Sequence, residues 1–169
     1  NNFPVTTGSY DGSHNGGVDG FVSHISSNGS ALVSSSYFGS SGYDQSYFVE
    51  SDNRDYIYIF GQTAASTNQL IYNAVYNDPN GGQFVTKFGP QLDTLVWSTR
   101  FGRGDGTPDI SPTAFLVDLC SSVYLSGWGS AIVGGSLTTN GLDTAGGPLQ
   151  GTTDNNDFYL AVLADDASQ

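Results

Sequence analysis

Asp19-Gly20-Phe21-Val22-Ser23-His24-Ile25 returns as Gly82-Gln83-Phe84-Val85-Thr86-Lys87-Phe88, and again as Asp157-Phe158-Tyr159-Leu160-Ala161-Val162-Leu163. An aromatic ring (Phe21, Phe84, Tyr159) holds the third place in each copy. Recurrence at a spacing of tens of residues marks a supersecondary unit that cannot bury its faces alone and must stack on its neighbours. A second marker, Ala31-Leu32-Val33-Ser34-Ser35-Ser36-Tyr37-Phe38-Gly39, answers to Thr94-Leu95-Val96-Trp97-Ser98-Thr99-Arg100-Phe101-Gly102, at the same 63-residue offset as Phe21 and Phe84. A third, Asp55-Tyr56-Ile57-Tyr58-Ile59-Phe60-Gly61-Gln62-Thr63, answers to Ser121-Ser122-Val123-Tyr124-Leu125-Ser126-Gly127-Trp128-Gly129, with Gly61 and Gly127 in register.

Between the second and third markers each copy holds one more apolar run, Ser46-Tyr47-Phe48-Val49 and Ala114-Phe115-Leu116-Val117. Each copy therefore predicts four short strands. Ser26-Ser27-Asn28-Gly29-Ser30 and Gly89-Pro90-Gln91-Leu92-Asp93 stand where a hairpin turn joins the first two strands, and Ser51-Asp52-Asn53-Arg54 precedes the last one. Tyr56-Ile57-Tyr58-Ile59-Phe60 is apolar on both faces, as a strand in a sheet covered on two sides would be. The expected architecture is all-β: a β-propeller or stack of four-stranded antiparallel blades, about two full blades plus the first strand of a third. The units run over about 3–69, 70–140 and 141–169, a single repeat region spanning 1–169. Long connections, Gln62 to Gly82 and Ser130 to Asn156, join the units, and Asn2 to Tyr10 reads as the tail of a similar one.

The composition agrees. Gly, Pro, Ser, Asn and Asp supply 78 of 169 residues, and 15 of the 16 acidic residues are Asp, Glu50 being the exception. Asp and Asn shape turns through their own backbone, whereas Glu and Lys favour helices, so helix bundles and α/β folds are disfavoured. Ten Tyr, ten Phe and two Trp in short runs argue against disorder despite the formal charge of −12. With four basic residues and a pI near 4.1 there is no electrostatic footprint for nucleic acid or anionic lipid. No apolar run reaches the roughly 18 to 20 residues that a membrane-spanning helix needs. The chain contains no methionine, which suggests a processed chain or an excerpt.

These repeats resemble the SBBP-type bacterial β-propeller repeats of large secreted proteins in Bacteroidetes. The resemblance rests on Phe3-Pro4-Val5-Thr6-Thr7, the Gly17 to Ile25 strand, Tyr37-Phe38-Gly39 and Tyr58-Ile59-Phe60-Gly61-Gln62-Thr63, with Ser126-Gly127-Trp128-Gly129 as a variant of the last. It implies a propeller, an extracellular or outer-surface location through type IX secretion, and a role in adhesion, gliding motility or surface assembly without a defined chemistry. Its partners would be further blades or other chains of the assembly. The alternatives are a propeller lectin and, more weakly, a propeller hydrolase or lyase.

Residues that could carry chemistry are few. No set reads as a triad. His14 lies in a loop, and His24 holds a strand position taken by Lys87 and Val162 in the other copies, which reads as an exposed face. Cys120, in the run Ala114 to Cys120, reads as a buried core thiol. Catalytic residues are therefore expected to be absent, and no cofactor is implied except Ca²⁺. For Ca²⁺ the oxygen-bearing candidates are Asp52, Asn53 and Asp55, then Asp105 and Asp109, then Asp154, Asn155 and Asp157. Turn-shaping is the competing account of the same residues, and none fits an Asp-x-Asp-x-Asp-Gly loop. Arg103-Gly104-Asp105 spells an integrin-type tripeptide, here read as coincidence. A lectin would use Trp97, Trp128, Tyr72 and Tyr76, although neither Trp recurs in the other copy, where Ser34 and Gln62 stand. Asp93-Thr94-Leu95 and Asp143-Thr144-Ala145 resemble bacterial O-glycosylation acceptors, making Thr94 and Thr144 candidates.

Overall fold

The computed structural model describes residues 3–129 and 158–167, and every strand and helix among them is a β-strand. In chain order these are β1 (Gly20–Ile25), β2 (Leu32–Phe38), β3 (Asp44–Ser51), β4 (Ile57–Thr63), β5 (Gln83–Phe88), β6 (Leu95–Phe101), β7 (Ser111–Val117), β8 (Val123–Trp128) and β9 (Phe158–Leu163). All pair antiparallel. The all-β expectation holds, and each strand falls on a run marked in the sequence.

The grouping is different. The strands assort as β1-β2, β3-β4-β5-β6 and β7-β8-β9, sheets of two, four and three strands. Two full blades and a first strand of a third are not what forms. The four-stranded sheet takes two strands from the end of one sequence copy and two from the start of the next, so it lies two strands out of phase with the repeat. The cause is burial. β4 is buried along all but its first residue and β5 along its whole length, and strands buried on both faces belong inside a sheet with neighbours on either side. They pair with each other from Ile57↔Phe88 to Gln62↔Gln83, leaving β3 and β6 outermost.

The repeat carries through to hydrogen bonding and register. Ser23 and Ser35 Oγ meet across β1-β2 at 2.7 Å, and 63 residues on Thr86 Oγ1 and Ser98 Oγ meet across β5-β6 at 2.7 Å. Register shifts fall at His24/Ile25 and at Lys87/Phe88, the same offset apart. The turns Ser26–Gly29, Gly89–Leu92 and Ala164–Ala167 each close with a backbone bond from the fourth residue to the first, at 2.7, 3.0 and 2.9 Å. Their fourth residues are left-handed, at φ 71°, 57° and 59°. Gly61 and Gly127 each face a strand that bulges, at Ser46/Phe48 and Pro112/Ala114. A Cβ on Gly61 would stand 2.6 Å from the Phe84 ring, and one on Gly127 2.6 Å from Ile110 Cδ1, which accounts for the paired glycines.

The sheets stack face to face. Val22 and Phe38 of the first pack on Ile59, Phe84, Phe88 and Leu92 of the second. The opposite face of the second, Tyr58, Phe60, Val85, Trp97 and Phe101, packs on Phe115, Val117, Val123, Leu125 and Leu163 of the third. Connections seal the sheet edges. Tyr72 exchanges backbone bonds with Ser98 of β6 at 2.8 and 2.7 Å, and Asp78 N–H donates to the Arg100 carbonyl at 2.8 Å. On β2, Thr6 and Asp11 do the same for Ser35 and Tyr37. Covered edges cannot template aggregation.

Candidate functional site

Charged side chains converge where the second sheet meets the third. Asp52 opens the β3-β4 turn and is an Asx residue: its Oδ1 accepts the backbone N–H of Arg54 at 2.9 Å and of Tyr56 at 3.1 Å. Asp118 repeats this in the β7-β8 turn, with Cys120 and Ser122 at 2.8 and 2.9 Å. Asp52 Oδ2 accepts from the Ser121 hydroxyl at 3.0 Å and the Tyr58 hydroxyl at 3.1 Å. Asp165, in the turn after β9, receives Arg54 Nη2 at 2.9 Å and the Lys87 ammonium, and its carbonyl takes the Trp97 indole N–H at 2.7 Å. Lys87 Nζ also stands 4.0 Å from Asp52 Oδ2 and over the rings of Tyr56 and Tyr58, at 4.7 and 5.0 Å. Two carboxylates and two cations thus neutralise one another across the sheet junction.

Burial pushes the Asp52 and Asp165 carboxyls up, but the donors facing them outweigh it, so both lie below the ordinary range. Burial also drives the Tyr58 phenol far above its usual value, so it stays a neutral donor between the carboxylates. A carboxyl whose folded pKa is depressed gives stability that is present above the unfolded value of about 3.9 and is lost as pH falls through the folded one. Burial raises the Asp109 carboxyl instead, an effect of opposite sign. The thermal midpoint is therefore expected to fall on acidification below about pH 4, and Asp165→Asn to flatten that fall. An acid limb unchanged in the variant would remove the clamp from the account.

The arrangement can hold two sheets together. It offers little to acid–base catalysis, because each carboxylate is ionised and already carries several donors. Of the calcium candidates, Asp52 is committed to turn and clamp, Asn53 reaches the Leu119 carbonyl at 3.5 Å, and Asp55 holds a left-handed turn position at φ 63°. Asp105 accepts from Thr107, and Asp109 from the backbone and side chain of Arg103. Among the described residues no three His, Cys, Asp or Glu side chains are grouped to hold a metal ion. Asp154, Asn155, Asp157 and Thr144 lie outside the described residues, as does the 130–156 connection. Arg103 also pairs with Asp105 at 2.7 Å, so the tripeptide closes on itself.

Two readings are corrected. Lys87 does not lie on an exposed face: it is buried, while His24 and Val162 are exposed. Asp165 and Asp52 give its ammonium partners, where the other copies lack them. Cys120 is exposed rather than buried, because the apolar run ends at Val117 and the Asp118 turn throws Leu119 and Cys120 outward.

Of the aromatic ligand candidates, Trp97 is buried between sheets with its N–H engaged, so it has no ring face for a sugar. Trp128 is half-buried at the end of β8, Tyr76 half-buried and Tyr72 exposed on the connection along β6. Tyr76 packs against the core cluster that contains Trp97. Thr94 is exposed at the start of β6, its hydroxyl on Asp93 Oδ1 at 3.0 Å. A cleft of about 260 Å³ opens between the first and second sheets, walled by Val22, Val49, Ile57 and Leu92 with His24 and Glu50 at its polar side. It occupies the place that Lys87 fills at the next junction.

The long-range partners escaped sequence reading. Lys87 and Asp165 are 78 positions apart, and the one signal was a lone lysine inside a strand of otherwise buried type. The stacked antiparallel sheets define an all-β repeat protein. No protein-family model matches the chain, and no curated protein matches its sequence.

Proposed function

We propose that the chain is a non-enzymatic structural or adhesive module of β-propeller type, working within a larger extracellular surface assembly. The observation that carries this reading is the repeat-true stack of sheets, in which the same cross-strand hydroxyl pair and register shift return in the β1-β2 and β5-β6 hairpins and the same left-handed turn follows β1, β5 and β9. Units that stack face to face and contact only their neighbours are what blade-on-blade architecture requires. The ionised side chains support it too, since they join sheets instead of converging on a reactant. Binding would then be by display: the stacked sheets hold connections such as that of Tyr72 and Tyr76 rigidly along the β6 edge. The surface location, with type IX secretion and gliding motility, comes with the resemblance to SBBP-type repeats. Electron microscopy of the protein at its native length is expected to show annular particles of about four to eight blades. Open, flat stacks without a central axis would overturn the propeller reading.

A further inference from the structure

We infer that the outer face of the β7-β8-β9 sheet is a docking surface for the outer face of the β1-β2 sheet of a second copy of this chain, so that copies add head to tail. The inference rests on the stacked-repeat reading above, because repeat equivalence is what pairs the two faces. Cross-strand pairing puts Leu116, Tyr124 and Val162 in one row of the β7-β8-β9 outer face, with Leu160 and Phe158 beyond. Leu160 is 72% exposed and Val162 45%. Their counterparts in the four-stranded sheet, Val85 and Lys87, are buried under the third sheet.

At the other end Phe21 is 49% exposed, although Phe3 stacks on it at 3.7 Å, and Ile25 is 58% exposed. Their counterparts Phe84 and Phe88 are fully buried under the first sheet. Each free face thus continues an interface already formed inside the chain, and each end offers the kind of sheet that covers the other. The charges are compatible. Where the internal junction sets Lys87 against Asp52 and Asp165, the docked junction would set Val162 against Ser27, the turn counterpart of Asp165, and the counterpart of Asp52, the half-buried Asp118, already accepts the Cys120 and Ser122 amides and the Tyr124 hydroxyl. A contact between unlike faces is heterologous, and it grows into a ring or a filament.

Sedimentation velocity over a wide concentration range tests this with the intact chain, Leu160→Asp and Ile25→Asp. Both changes fall on exposed side chains, and near-ultraviolet circular dichroism checks that each variant keeps its packed core. The unaltered chain is expected to grow beyond a dimer with concentration. Each variant alone should be monomeric, and an equimolar mixture should form a one-to-one dimer through the two intact faces. A monomeric unaltered chain, a variant that dimerises with itself, or a mixture that stays monomeric overturns the inference. Rings from native-length protein beside a monomeric unaltered chain would remove this inference and leave the propeller reading in place. The mixed dimer without rings would do the reverse.

Discussion

Phe60→Ala is expected to lower the free energy of unfolding by about 3–5 kcal/mol. Phe60 lies on central strand β4, fully buried, with the rings of Phe48, Phe101 and Phe115 at 6.4, 6.1 and 5.6 Å. Those rings come from β3, β6 and β7, so the side chain fills the gap between two sheets. Stacked sheets sit roughly 10 Å apart, and strands tied at both ends cannot close over the void that alanine leaves. Domains of this size are stable by about 5–15 kcal/mol, so the loss is a large share of the total. Urea denaturation measures it. The repeat counterpart, Ser126, lies on the outer face of the third sheet, and Ser126→Ala should change stability by less than about 0.5 kcal/mol. Equal effects at the two sites would show that the second and third sheets are not packed as described.

Arg100→Met is expected to cost about 3 kcal/mol, the loss of several charge-assisted bonds net of what water restores. The guanidinium is fully buried and bonds four loop carbonyls: Gly81 at 2.9 Å, Ser66 at 2.9 Å, Gln69 at 3.3 Å and Ala65 at 3.2 Å. Burial lowers its pKa, with Asp44 and Asp78 opposing, but an arginine remains charged throughout the working range. Methionine keeps the stem and removes all four bonds. The connection along β6 should then open, and amide hydrogen exchange at Tyr72 and Asp78, whose N–H groups bond the Ser98 and Arg100 carbonyls, should quicken well before that of β4. Unchanged protection at those amides would mean that the connection is held by its backbone bonds alone.

Local signals carried far in this chain. The nine described strands, the register of Gly61 with Gly127, and the turns at Ser26, Gly89 and Asp52 all follow from short-range patterns. An Asx residue bonding the amides two and four places on leaves its mark within a few residues. The turn-shaping account of Asp52 was legible in the same way. Its role in a clamp was not, because Ser121 and Asp165 arrive from distant turns. Cys120 was misread since an apolar run says nothing of where a turn will end it.

What the sequence by itself determined is the all-β class, the repeat and the position of every described strand, because strand and turn preferences act between neighbours along the chain. Only the tertiary structure decided which strands share a sheet, which faces are covered and which charges meet. Burial made that choice: β4 and β5, buried on both faces, took the middle of one sheet across the repeat boundary, and left Lys87 inside, opposite Asp165.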